Sequence, residues 1–366
     1  LGIAQADQLP EVNASASVFN QRSPAAAGRP AVDTSPVQLG LSASWELDFW
    51  GRFLRATESA RASLLSAEWA QRQVISSLVS DVAAAYFQLR EQDLELEISR
   101  QTLASRRDSL RLTQVLADGG ATSLLDVRQA EQLVFGASAS IPDLESRIEQ
   151  QENFISILVG RNPEGVVRGR PLIDQQQPPE VPAGLPSSLL ERRPDILQAE
   201  QQLVAANAQI GVAKADFFPR ISLTAIGGYQ SSALARLFTG PAGLWTFGAS
   251  ALQPVYEGGR IRNNVAFAEA RTQEATIVYQ RTVQQAFRDV SDSLVSYRKS
   301  REVRIEQQQL TTAAEDATRL SNMRYRGGAA SYLEVLDSET RFFNAQLNLA
   351  QAQLRELQSL VQIYRS

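Results

Sequence analysis

The chain has 366 residues, a formal net charge of −4, no cysteine, no histidine and one methionine. Without Cys or His it lacks disulfides, a thiolate nucleophile, the usual general base and the commonest metal ligand, so a hydrolytic or metal enzyme is a poor reading and no cofactor is expected. Lys and Arg (36) nearly balance Asp and Glu (40), which argues against nucleic acid as the main partner; Ala, Gln, Leu, Ser and Arg dominate, which predicts long helices.

From the start, LGIAQADQLP at 1–10 is echoed by IGVAKADFFP at 210–219. Gly2, Ala4, Ala6, Asp7 and Pro10 match Gly211, Ala213, Ala215, Asp216 and Pro219 at an offset of 209. The second copy is the tail of a helical pattern, so the first is predicted to end a helix too. Most of that helix would precede Leu1, which is not a natural start, and an N-terminal truncation is expected.

After each proline comes a run of period 2, EVNASASVFNQ at 11–21 and RISLTAIGGYQ at 220–230. Loops follow, SPAAAGRPAVDTSP and SSALARLFTGPAG, and second strands return as VQLGLSASWELDF and LWTFGASALQPVY. Gly40 plus 208 is Gly248 and Ser42 plus 208 is Ser250, so each repeat carries a hairpin, 11–49 and 220–256. Strands of ~10 residues are long enough to cross a bilayer when tilted. Trp45, Phe49, Trp50, Tyr229, Phe238, Trp245, Phe247 and Tyr256 cluster there. Aromatics at strand ends form the interfacial girdles of membrane barrels, although a soluble hairpin packed on a core fits the same pattern.

Proline-free helical patterns follow, 51–117 and 259–323, with Asp81-Val82 and Asp289-Val290 again 208 apart. A run of 67 residues is about 100 Å of helix and points to coiled-coil packing. Each ends in a Gly-Gly turn, VLADGGATSLLDV around Gly119 and Gly120, and MRYRGGAASYLEVLD around Gly327 and Gly328. Glycine permits the positive φ of a reversal. Ser123 with Asp126, and Ser331 with Glu334, have the spacing of capping boxes opening the return helices 123–159 and 331–364. Pro142 predicts a kink near 136–142. Between the repeats, residues 160–186 are too rich in Pro and Gly for a helix; Val166, Val167, Leu172 and Ile173 predict a connector lying against the helices. A helix 187–216 follows, with Pro194 suited to a first turn. The chain thus divides into repeats 1–158 and 187–366 around the connector.

Four strands cannot enclose a barrel, and an open edge cannot sit in hydrocarbon. Either the hairpins are soluble or several chains close one barrel together.

LPSSLLERRPDILQAEQQLVAANAQIGVAKADFFPRISLTA and MRYRGGAASYLEVLD resemble the TolC-like outer-membrane efflux proteins, in particular the OprM-like branch that serves tripartite drug efflux pumps. The resemblance covers the whole chain, with both repeats in register. It implies a mainly α protein with a β-barrel portion: a homotrimer with a 12-stranded barrel in the outer membrane of a Gram-negative bacterium, joined to a periplasmic α-helical barrel. It further implies a passive duct that takes substrate from an inner-membrane RND-type transporter through a periplasmic adaptor. Many members of the branch carry a lipid on an N-terminal Cys, a region outside this chain. By the resemblance, Asp126, Tyr325, Glu334 and Asp337 form the tunnel gate. Gly119, Gly120, Ser123, Leu124, Gly327, Gly328, Ser331 and Tyr332 form the adaptor-docking tips. Trp45, Trp50, Tyr229, Phe238, Trp245 and Tyr256 meet outer-membrane lipid. The arginine that locks the gate of the best-known member corresponds to Ala330, and Arg324 or Arg326 is the candidate substitute.

Plainer roles stand beside these. Asp126 and Glu334 occupy the third helical position, where a carboxylate caps the helix. Asp337 lies a turn deeper, on the same face as Glu334. The glycines are turn formers first, and Tyr325 serves packing equally well. A protein-secretion duct and a soluble helical scaffold are the alternatives to the efflux duct.

Overall fold

The computed structural model describes residues 1–25, 31–175, 191–232 and 234–365. The elements in chain order are α1 (Gly2–Ala6), β1 (Glu11–Val18), β2 (Gln21–Ser23), β3 (Val32–Thr34), β4 (Val37–Leu47), α2 (Arg52–Asp118), α3 (Leu124–Leu158), α4 (Pro194–Ala215), β5 (Arg220–Ser231), β6 (Gly243–Leu252), α5 (Arg260–Arg326) and α6 (Tyr332–Arg365). The duplication is kept to the residue: α2 begins at 52 and α5 at 52 + 208 = 260; they end at 118 and 118 + 208 = 326. Gly51 and Gly259, just before them, both take positive φ.

Two compact units are formed, residues 1–71 with 188–283, and 72–187 with 284–366. In the first, four strands form one antiparallel sheet in the order β1-β4-β5-β6, so the two hairpins join through β4 and β5, and β2 and β3 form a separate two-stranded sheet. The register sorts the side chains by face, because neighbours along a strand point to opposite sides. Val12, Ala14 and Ala16 stand opposite Ala43, Leu41 and Leu39. Leu41, Ala43, Trp45 and Leu47 stand opposite Gly227, Ala225, Leu223 and Ile221, which in turn face Trp245, Phe247, Ala249 and Ala251. One face is therefore apolar from edge to edge. The other carries Asn13, Ser15, Ser42, Ser44, Glu46, Ser222, Thr224 and Ser250. The apolar face is uncovered: Val12, Leu41, Trp245 and Phe247 are all exposed. Gly40 meets Gly228 in this sheet, and a Cβ on Gly228 would lie 2.3 Å from the Leu39 carbonyl oxygen.

The helices of this unit are tied to the sheet through backbone acceptors. Trp50 Nε1 donates to Pro219 O at 2.8 Å while its ring stacks on Phe218, and Trp45 Nε1 donates to Gln8 O at 2.9 Å. Ser59 is buried, and its hydroxyl donates to Ala205 O on α4 at 3.0 Å.

In the second unit α2 and α3 run antiparallel, as do α5 and α6. Arg100 reaches Glu145 at 2.7 Å, and Thr311 Oγ1 reaches Ala345 O at 3.1 Å. Small hydroxyl residues make much of this core. Thr113, Ser156 and Thr311 are buried and donate to the carbonyl four residues back, so close packing leaves these three hydroxyls satisfied. Apolar clusters centre on Leu89 with Ile148 and Ile155, and on Tyr332 with Ala130 and Val335.

Several expectations are corrected. β3 lies in the stretch 23–36 expected to be loop, where Val32 and Thr34 pair with Ser23 and Gln21. The helix expected over 187–216 is broken at Arg193: Glu191 and Arg192 are helical, Arg193 precedes a proline, which disfavours helical backbone, and takes φ −73°, ψ 123°, and α4 starts at Pro194. Residues 187–190 lie outside the described residues, as do 176–186 of the connector. α3 continues as one helix through Pro142. Of the four apolar connector residues expected inside, Leu172 is buried and Val166 half-buried, but Val167 and Ile173 are exposed. Polar contacts hold this segment instead. Arg168 pairs with Asp93 and Glu152, and Gly169 N donates to Tyr86 Oη at 2.7 Å.

Candidate functional site: the helical tips

Both tips close in the same way. Gly120 (φ 74°) and Gly328 (φ 72°) supply the left-handed residue. Ala121 N donates to Leu116 O at 2.8 Å and Gly120 N to Ala117 O at 3.0 Å. At the second tip Ala329 N donates to Arg324 O at 2.9 Å and Gly328 N to Tyr325 O at 3.0 Å. This paired pattern satisfies the last helical carbonyls, and only Gly adopts its left-handed residue without steric cost. Gly119 and Gly327 keep negative φ; a Cβ on either would be in ordinary contact with carbonyls of the preceding turn.

The side chains then diverge. Ser123 caps α3: its Oγ accepts from Asp126 N at 3.3 Å, and Asp126 Oδ2 accepts from Ser123 N at 3.1 Å. Thr122 Oγ1 also donates to that carboxylate, and chiefly this hydrogen bond holds the Asp126 carboxyl below its ordinary range. The matching box at Ser331 is not made. Glu334 pairs instead with Arg324 at 3.6 Å, and Arg324 Nη2 donates to Ala329 O at 3.3 Å. Glutamate is a methylene longer and reaches this cation; the equivalent of Arg324 in the first repeat, 324 − 208 = 116, is Leu116. Asp337, exposed, pairs with Arg341 at 2.7 Å. Arg324 therefore reaches one of the expected gate carboxylates, Glu334, while Arg326 lies at the rim of a cavity described below.

Leu124, Leu125 and Leu333 are exposed, as are Gly119, Gly120, Ser123, Gly327, Gly328 and Ser331. Tyr332, expected among the exposed tip residues, is buried at 4 % exposure. Its ring lies 5.3 Å from that of Tyr325, and burial pushes its phenol up to about 12. The sequence signal for this was the stripe Tyr332, Val335, Leu336, whose spacing places the tyrosine on the core side of α6.

Two residues behind the tip escaped sequence reasoning. Glu339 continues the same stripe and is 9 % exposed, with Ser109 Oγ donating to its Oε1 at 3.3 Å. Arg106 is 7 % exposed, donates from Nη1 to Leu133 O at 3.0 Å and lies 5.1 Å from the Phe343 ring. Burial raises the Glu339 pKa and lowers that of Arg106. A charged residue inside an apolar stripe was the available clue. Deeper in the helices, Glu91 and Glu95 are buried together, and burial with the neighbouring carboxylate pushes Glu91 up to about 8.

At the sheet, the expected membrane aromatics fall at two levels. Trp45 pairs with Leu223 at the helix end, where Trp50 and Tyr256 also lie beyond the strands. Trp245 pairs with Gly227 at the loop end, where Tyr229 meets Phe238 edge-on at 5.5 Å.

Comparison with known proteins agrees over the whole chain. Residues 1–161 and 185–366 match the model of the family described as Outer membrane efflux protein. The solvent efflux pump outer membrane protein SrpC of Pseudomonas putida is 37 % identical over 100 % of this chain and 78 % of its own length. The outer membrane protein OprJ of Pseudomonas aeruginosa is 35 % identical over 100 % of this chain and 77 % of its own. Among solved structures, the outer-membrane channel OprN superposes with a TM-score of 0.91 at 31 % identity, covering 100 % of this chain and 82 % of that one. The chain therefore belongs to the outer membrane efflux protein family, and it is an outer-membrane channel that serves a tripartite pump as its exit duct.

Proposed function

We propose that three copies of this chain close a single 12-stranded barrel, and that the duct works passively, with no chemistry of its own. One observation carries the reading: a four-stranded sheet whose apolar face is uncovered, with β1 and β6 as outer edges. In hydrocarbon such a face is at home, but each open edge leaves backbone groups unpaired at several kcal/mol per group. Pairing β6 of one copy with β1 of the next removes all edges in a closed symmetric ring. A soluble scaffold would leave this face in water, where so large an apolar patch favours association.

In this reading Trp45, Trp50 and Tyr256 meet one lipid interface and Tyr229, Phe238 and Trp245 the other. The helices form the periplasmic tunnel. Asp126, Tyr325, Glu334 and Asp337 line its narrow end. The exposed tips at Gly119, Gly120, Ser123, Leu124, Gly327, Gly328 and Ser331 receive a periplasmic adaptor, which links the duct to an inner-membrane RND-type transporter. Tyr332 supports the tip from within. Relatives named for solvent and toluene efflux favour small organic molecules as cargo. Planar-bilayer recordings test the duct: the purified protein adds discrete ion-conducting steps. A chain that dissolves without detergent and adds no conductance contradicts it.

A further inference from the structure

We infer that the cavity behind the second tip is a binding site for a small organic cation, an aromatic or alkyl ammonium held by Glu339 and Tyr325. The cavity has a volume of about 620 Å³ and lies between the ends of α2 and α5 and the start of α6. Glu339 and Tyr325 line it together with Tyr332, Asp108, Ser109 and Asn322. Two acceptor atoms within these walls have no partner among the described residues: Oε2 of Glu339 and Oη of Tyr325, both shielded from solvent. A buried carboxylate oxygen left unpaired is costly, and such atoms are ordinarily matched by a donor. An ammonium group carries donors and the compensating charge at once.

The rest of the wall suits the remainder of such a ligand. The rings of Tyr325 and Tyr332 stand 5.3 Å apart at an interplanar angle of 48°, offering π faces to a cation or an aromatic tail. Leu112 and Val335 supply apolar surface, while Asp108 at the rim is exposed and paired with Arg111 at 3.5 Å. Arg326 also lines the cavity but is exposed, so its charge is screened by water. Arg106 does not line this cavity; it lies in a neighbouring one of about 240 Å³ that shares Glu339, Ser105 and Asn322. Its charge acts on Glu339 through space, while its own contacts are to Leu133 O and the Phe343 ring. The first repeat has no counterpart, because the equivalents of Tyr325 and Tyr332 are Ala117 and Leu124.

The test compares two fluorescent probes of one shape, 2-(1-naphthyl)ethylammonium and 2-(1-naphthyl)ethanol, titrated into the purified full chain in detergent. The wild type should hold the ammonium at least ~10-fold more tightly than the alcohol, the scale of a hydrogen bond to a charged group. Glu339→Gln should bring the two within about twofold. Tyr325→Phe should weaken the ammonium by about threefold while leaving the alcohol unchanged. Asp337→Asn and Asp126→Asn should keep the full preference, which separates this cavity from attraction to the exposed tip carboxylates. Circular dichroism of Glu339→Gln should match the wild type. The assignment is overturned if Glu339→Gln retains the preference, if Asp337→Asn removes it, or if both probes bind alike to the wild type.

Discussion

The two tips of this chain share one backbone and differ in nearly every side chain that decides their chemistry. Turn, left-handed glycine and helix start recur at a spacing of 208 residues. Yet Leu124 is 67 % exposed, whereas its equivalent, 124 + 208 = 332, is a tyrosine with 4 % exposure. Asp126 is spent on its own helix terminus, and Glu334 on a cross-turn arginine. Duplication preserves what backbone sterics require and leaves side chains free to diverge. The first tip is a capped turn with an apolar surface; the second is a turn backed by a buried polar cluster.

The largest test of that contrast is truncation at the paired positions. Tyr332→Ala removes a buried aromatic and should cost ~3–4 kcal/mol, whereas Leu124→Ala should stay within ~0.5 kcal/mol. Chemical denaturation of the second unit reads both. Equal losses would mean that the tips are alike after all.

Backbone symmetry makes the opposite claim, that the two turns respond equally. Gly120→Val and Gly328→Val force an L side chain into left-handed backbone and should each cost ~1–2 kcal/mol or more. Gly119→Ala and Gly327→Ala sit at ordinary φ and should change stability by less than ~1 kcal/mol. Thermal melts in detergent check this, and in the duct reading the valine variants also lose export.

Capping separates the tips again at a smaller scale. Asp126→Ala should cost ~1 kcal/mol, and Glu334→Ala, which breaks an exposed pair, ~0.5 kcal/mol or less. The pH dependence carries a definite sign. The Asp126 pKa is depressed in the folded chain, so its contribution is present above its ordinary value of 3.8 and is lost as pH falls through the lower folded value. The dependence of melting temperature on pH below 4 should therefore flatten in Asp126→Asn.

The smallest effect on stability has the clearest electrical signature. Arg324→Ala should leave stability within ~0.5 kcal/mol but uncover Glu334, raising the cation preference of the channel in bilayer recordings. Asp337→Ala should raise conductance and lower that preference. Unchanged currents in both would remove these residues from the constriction.

Much of this was legible in the residues because it is set by local pattern. The 208-residue spacing, the Gly-Gly turns, the long helices and the hairpin alternation all follow from chain-local chemistry. The misreadings came from competition that no local pattern records. The box at Ser331 yields to Arg324, which arrives from the preceding helix. Val167 and Ile173 are exposed because Arg168 anchors their segment to Asp93 and Glu152. The cavity at Glu339 needs α2 beside α6, with Ser109 and Glu339 230 positions apart in sequence. The stripe Tyr332, Val335, Leu336 holds the clue to an inward-facing Glu339, which the sequence reading did not single out, and only packing shows that its second oxygen is left without a partner.

The central claim is that the open sheet is one third of a closed membrane barrel. The chain has no cysteine, so single cysteines placed along β1 and β6, for example at Asn13 and Ser250, can cross-link only with each other. Scanning such pairs under oxidation in detergent should give, for the pair in register, a ladder of one, two and three chains that stops at three, with native mass three times 40.1 kDa. Pairs placed on β4 and β5, which already pair within one chain, should give no ladder. Absence of any β1–β6 cross-link between chains, or a ladder running past three, would contradict the account.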